Sequence, residues 1–166
     1  MLSESQKNTL LNLTKQIIQQ KNICIYKYGA KLEEAPYYVD CSSFAQYLYQ
    51  QISINIPRST IQQALDKNST IISNEQLETG DLIFIRDNKR NYYYNPKLNT
   101  NIFLKLINKL LIKFFNVFHF YPTNLKFIGH IMIYLKNNEV IEATKKFNIR
   151  IRKINEDDKI VVIKRY

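Results

Sequence analysis

Apolar residues at Leu10, Leu13 and Ile17, joined by Leu11 and Ile18, recur at the helical period, with polar residues between them. Ser3 followed by Gln6 has the form of a capping box, so residues 3 to 20 are predicted to form an amphipathic packing helix. Residues 23 to 28 read as a short extended piece ended by Gly29, and residues 33 to 38 as a loop around Pro36. Phe44, Ala45, Leu48 and Ile52 then repeat at the helical period, with Asp40 where an N-cap belongs. Cys41 therefore falls in the first turn of a second helix. Pro57 ends that region, Ser59 can cap a short third helix through Asp66, and Gly80 leads into an apolar strand from Leu82 to Ile85. Further strands are predicted at residues 127–135, 140–144, 148–154 and 159–165. Helices first and strands afterwards, joined by short turns, predict an α+β domain with an antiparallel sheet over residues 1–166.

The apolar segment after Gly129 begins with His130 and runs to Leu135, and the chain returns through Val140, Ile141 and Glu142. This is a hairpin with His130 on one arm and Glu142 on the other. The two residues share a sheet face only if the loop has an odd number of residues. A three-residue loop, Lys136 to Asn138 with Asn138 left-handed, satisfies this condition, whereas a two-residue Asn137-Asn138 loop would separate them.

A chain of 166 residues can bury roughly 70% of the surface its unfolded form exposes, so it needs neither disulfide nor metal to hold a core. With only Cys24 and Cys41, and no Cys/His cluster, neither a disulfide scaffold nor a zinc site is expected, and no cofactor is implied. The 24 Lys and Arg against 14 Asp and Glu give a net charge of +10. That balance favours anionic partners, but no basic helix or base-reading motif points to specific nucleic-acid binding. Residues 1 to 22 lack the apolar run of a signal peptide, so a cytoplasmic location is expected, with export by another route left open.

A cysteine in the first turn of a helix meets unpaired backbone N–H groups and the positive end of the helix dipole, which favour a thiolate. Taken alone, such a cysteine is more often a small buried hydrophobe, a strand histidine more often structural, and a strand carboxylate as often merely exposed. Together, Cys41 as nucleophile, His130 as base and Glu142 as the group that orients the base have the logic of an acyl-transfer enzyme.

Five segments sharpen this reading: Y-K-Y-G-A at residues 26–30, V-D-C-S-S-F at 39–44, I-P-R-S-T-I-Q-Q at 56–63, L-E-T-G-D-L-I-F-I at 77–85 and G-H-I-M-I-Y-L-K-N-N-E-V-I-E-A at 129–143. In content and order they resemble the NlpC-type peptidases that cleave peptidoglycan stem peptides. All three glycines of the chain, Gly29, Gly80 and Gly129, lie inside them. The resemblance implies a papain-like fold, N-terminal helices packed on an antiparallel sheet, and a hydrolase working through a Cys41 acyl-enzyme. It also implies that Tyr26 assists the oxyanion, that Asp40, Ser42, Ser43 and Arg58 lie at the substrate end of the groove, and that peptidoglycan fragments or stem peptides are the substrates. Asp40 has the competing role of helix cap, and Arg58 that of fixing the following turn. Ser43 stands where glycine is frequent in the family, and Glu142 where His, Asn or Gln is more usual.

The resemblance is interrupted by residues 86–127, longer than the connection expected there. Within them residues 102–120 are apolar apart from Lys105, Lys109 and Lys113, which would line one face of a helix. Such a helix fits packing on the domain with its lysines in water, an anionic membrane surface, a protein partner, or a lid over the groove. Tyr92, Tyr93 and Tyr94 read equally as stacking groups or loop anchors, and His119 has no motif around it. Two further readings stay open: the same triad acting on a lipid-linked or acylated substrate, and a non-catalytic basic binding module. A monomer is expected, with Cys24 a packing residue.

Overall fold

The computed structural model describes residues 1–20, 23–86 and 128–166. The expected helix at residues 102–120, the tyrosine run and His119 lie outside the described residues, as does most of the predicted insertion.

The first helix, α1 (Glu4–Gln19), opens as its capping pattern predicts, with Ser3 Oγ accepting from Gln6 N and Gln6 Oε1 accepting from Ser3 N. It buries Leu10 and Ile17 against the second helix, α2 (Cys41–Gln51), whose own buried stripe contains Phe44, Ala45 and Leu48. Each such large side chain contributes about 1.5–3 kcal/mol by leaving water. Between the helices lie two short strands, β1 (Ile25–Tyr26) and β2 (Tyr38–Val39), paired in parallel, with Tyr26 beside Val39. A two-residue ladder carries too little periodicity to be read from sequence, and this pairing was not among the expectations. A third helix, α3 (Thr60–Ala64), starts at the Ser59 cap and ends two residues short of Asp66.

Six strands complete the fold: β3 (Thr70–Ile71), β4 (Leu82–Arg86), β5 (Ile128–Tyr134), β6 (Glu139–Thr144), β7 (Asn148–Lys153) and β8 (Ile160–Arg165). They form one sheet in the order β3-β8-β4-β5-β6-β7, every neighbouring pair antiparallel. The expected α+β class with helices on an antiparallel sheet is therefore what the chain adopts. The helical side buries Leu82, Phe84, Ile131, Ile133 and Ile141 with α2, while Ile83, Met132, Val140 and Ile163 form a smaller cluster. Alternate residues of β4, β5 and β6 thus serve two apolar layers, which is why these strands read as continuous apolar runs.

Gly80 has a φ of +100°, a conformation that residues with a side chain rarely adopt, and a Cβ there would press on the tip of Leu2, so the turn into β4 favours glycine. Beside it Asp81 is buried and bound by both arms of Arg165, at 2.8 Å each. The G-D-L segment is thus a structural corner that ties β4 to β8.

Candidate active site

The β5–β6 hairpin decides whether two parts of the predicted triad meet. Tyr134 pairs with Val140, Leu135 N donates to Glu139 O at 2.9 Å, and residues 136–138 form the loop. The loop is odd, as the parity condition requires. Asn137 as well as Asn138 is left-handed, with φ of 52° and 62°; asparagine tolerates that region at modest cost. His130 and Glu142 accordingly share a face, and His130 Nε2 lies 2.8 Å from Glu142 Oε2. The Cys41 side chain is a near neighbour of the same ring and acts on it beside Glu142. Burial of the ring pushes its pKa down, but the bonds to Cys41 and Glu142 outweigh this and raise it to about 9.

Glu142 is 2% exposed. Its Oε1 accepts from Arg150 Nε at 2.7 Å and Arg152 Nε at 2.9 Å, with Arg150 Nη2 at 2.6 Å. Burial alone would raise the pKa of this carboxyl; His130 and Arg152 reverse that and lower it to about 2. Arg150 faces Glu142 across the β6–β7 ladder, and Arg152 stands two residues on, on the same face. Neither arginine was singled out from sequence, although R-x-R two apart on the strand following the Glu142 strand is the signal that could have found them.

Cys41 is the first residue of α2. Asp40 caps the helix as predicted: Oδ1 accepts from Ser42 N at 3.1 Å and Ser43 N at 2.8 Å, and Ser43 Oγ accepts from Asp40 N at 2.8 Å. Phe44 N bonds Asp40 O at 2.9 Å, so among the described residues the Cys41 N–H is the first-turn donor without a partner. The other Asp40 oxygen accepts from Gly29 N at 3.1 Å and Arg58 Nη2 at 2.7 Å. Arg58 also donates to Ser42 Oγ at 2.7 Å and to Ala30 O. Asp40 is held below the usual carboxylate range: its burial opposes ionisation, and Arg58 and the Ser43 N–H prevail.

The structure thus gathers Asp40, Ser42, Ser43 and Arg58 into one knot around the start of α2, with Asp40, Ser42 and Ser43 buried and Arg58 half-buried. Their polar atoms bind one another. Tyr26 joins through the β1–β2 ladder, its N–H donating to Asn148 Oδ1 at 3.0 Å, and its side chain packs on the core. Two residues not singled out earlier also reach the Cys41 turn. Thr60 Oγ1 lies 3.7 Å from Cys41 Sγ, and Gln63 Nε2 donates to Ser42 O at 3.0 Å. Cys24 is buried in the core, and that burial pushes its thiol up to about 11. Among the described residues no cluster of His, Cys, Asp and Glu could hold a metal.

Among curated proteins none matches this sequence. Solved structures do. The chain superposes on NlpC2 from Trichomonas vaginalis with a TM-score of 0.64 at 17% identity, over 100% of this chain and 48% of that one. An NlpC/P60 family protein from Bacillus cereus gives 0.63 at 17% identity, over 96% of this chain and 40% of the other. The peptidoglycan hydrolase RipB from Mycobacterium tuberculosis gives 0.56 at 14% identity, over 99% and 68%. The chain spans about half the length of the first of these, and at such identities the likeness speaks for the fold. The sequence itself matches the NlpC/P60 family model over residues 24–109. That is more than half of its length, from just before β1 past the end of β4, and the chain belongs to the NlpC/P60 family.

Proposed function

We propose that the protein is a cysteine peptidase or amidase of the cell wall, hydrolysing a D-glutamyl amide bond in peptidoglycan stem peptides with Cys41, His130 and Glu142. The observation that carries this is the join between two elements: a cysteine at the start of a capped helix beside a histidine that a buried carboxylate holds at 2.8 Å. Family membership and the likeness to a peptidoglycan hydrolase support the substrate class.

In this reading the Cys41 sulfur, as thiolate beside the His130 imidazolium, attacks the amide carbonyl carbon. The Cys41 N–H is the donor for the oxyanion, with Tyr26 assisting from β1. When the C–N bond breaks, His130 gives its proton to the departing amine and a thioester remains on Cys41. His130 then takes a proton from water, whose oxygen attacks the thioester, releasing the acid and restoring the thiolate. Glu142 keeps the ring turned toward Cys41 throughout.

Mass spectrometry of purified peptidoglycan fragments and free stem peptides, incubated with the wild-type chain and with Cys41→Ala, tests the reading. Cleavage beside the D-glutamyl residue that vanishes in Cys41→Ala is expected. Intact fragments after prolonged incubation with a folded wild-type protein would overturn the substrate assignment.

A further inference from the structure

A carboxylate bonded to a histidine stabilises the imidazolium, and a full, uncompensated negative charge there makes the ring reluctant to release its proton. A carboxylate taken out of water also costs several kcal/mol unless its charge is met. Glu142 has both difficulties, and both are met at one oxygen. Oε1 takes Arg150 and Arg152, leaving Oε2 for His130.

The two arginines are not equivalent. Arg150 lies toward solvent, 35% exposed, with its guanidinium 4.1 Å from the centre of the Phe147 ring. Arg152 is 14% exposed and is itself fixed on every side. Nη1 and Nη2 reach the two oxygens of Asp158 at 2.6 and 2.8 Å, Nη1 donates to Lys153 O at 2.9 Å, and Nη2 lies 2.9 Å from Met132 Sδ. Asp158 in turn accepts from Asn155 N at 2.8 Å. Among the described residues, other charges near the ring are few. Cys41 faces it from α2, Glu142 from β6, Arg150 and Arg152 from β7, and Asp158 stands behind Arg152. On β4, Ile85 pairs with His130 and Arg86 follows it; α3 carries no titratable residue.

Resting on the cysteine-hydrolase reading above, we infer that Arg152, fixed by Asp158, is a positioning residue that keeps Glu142 ionised, aims it at His130 and offsets its charge. The pair lets an anion serve where a neutral group would otherwise orient the base. The effect on the ring is electrostatic as well as geometric, so it has a signature that packing alone lacks.

The chain contains two histidines, so the imidazole C–H resonances of the full chain can be followed by NMR across pH and assigned with His119→Gln. Arg152→Met is expected to raise the His130 midpoint by about half a unit or more, because a nearby cation is gone. Arg152→Lys, which keeps the charge, should stay within about 0.2 unit of wild type. A His130 midpoint that Arg152→Met leaves in place, while Glu142→Gln moves it, would overturn the inference and leave the triad standing. A midpoint insensitive to Glu142→Gln would instead remove the triad on which the inference rests. If Arg152→Met does not fold, Arg152→Gln takes its place: an upward shift of the His130 midpoint supports the inference, and no shift or a downward one overturns it.

Discussion

Two buried carboxylates belong to this site, each bound by arginine, and only one of them has a titrating partner. Asp40 spends both oxygens on groups whose protonation does not change near neutral pH: the N–H groups of Gly29, Ser42 and Ser43, the Ser42 hydroxyl and Arg58. Glu142 spends one oxygen on arginines and gives the other to His130. The same chemistry therefore does two jobs. A carboxylate whose partners are all fixed in charge locks geometry, and one that keeps a titrating partner transmits charge to it.

The largest expected effect comes from removing each charge at nearly constant shape. Asp40→Asn should cost about 2–4 kcal/mol of stability, because it weakens the cap and leaves Arg58 short of a buried counter-ion. Activity should fall only as far as the displaced Cys41 accounts for, with the pH profile unmoved. Glu142→Gln should instead lower activity by about 10²-fold and return the His130 pKa toward 6.5, its ordinary value. Denaturant unfolding and pH-rate profiles of both variants check this. If Asp40→Asn shifted the profile as much as Glu142→Gln, the distinction between the two carboxylates would fail.

A second effect separates them by pH. The Glu142 pKa is lowered from 4.5 to about 2, so its stabilisation is complete above 4.5 and is lost as pH falls toward 2. The His130 pKa is raised from 6.5 to about 9, so its stabilisation is complete below 6.5 and is lost as pH rises through 9. Both describe largely one interaction, worth on the order of 2–3 kcal/mol, and should not be added. Stability measured by thermal melting should therefore peak between about pH 4.5 and 6.5. In His130→Gln the alkaline fall should flatten while the acid fall persists, since the arginines still hold Glu142 and Arg58 still holds Asp40. An alkaline fall of wild-type size in His130→Gln would show that the decline lies elsewhere.

Much of this was legible in the sequence because it rests on local rules. Ser3 with Gln6, and Asp40 ahead of Cys41, fix helix starts through side-chain bonds three residues long. The parity of the hairpin follows from loop length alone: it made a shared face for His130 and Glu142 conditional on an odd loop, and the three-residue loop meets that condition. What escaped is what depends on distant pairing. The parallel β1–β2 ladder and the two-residue β3 are too short to leave a periodic trace. The commitment of Asp40 to Gly29 and Arg58, 11 and 18 residues away, was visible only as separate motifs. Arg152 and Asp158 gain their meaning only once β7 lies beside β6, where alternation puts both arginines over Glu142.

The smallest expected effect tests whether the Asp40 side of the site touches charge at all. Thr60 belongs to that side by position, since Ser59 and Arg58 precede it, yet its hydroxyl lies 3.7 Å from Cys41 Sγ. At that length a bond to sulfur is weak, and against a thiolate its removal should cost about 0.5–1 kcal/mol, or a factor of about 2–5 in rate. Thr60→Val keeps the shape and deletes the donor, so the rate of Cys41 alkylation by iodoacetamide near pH 6 should change by that factor, and Thr60→Ser should restore it. A wild-type rate in Thr60→Val would leave Thr60 as packing and make the boundary between the two sides sharp. A loss far beyond fivefold, without loss of stability, would mean that the locked side also tunes the nucleophile, because a hydroxyl held by the same turn that holds Arg58 would then be setting the charge on sulfur.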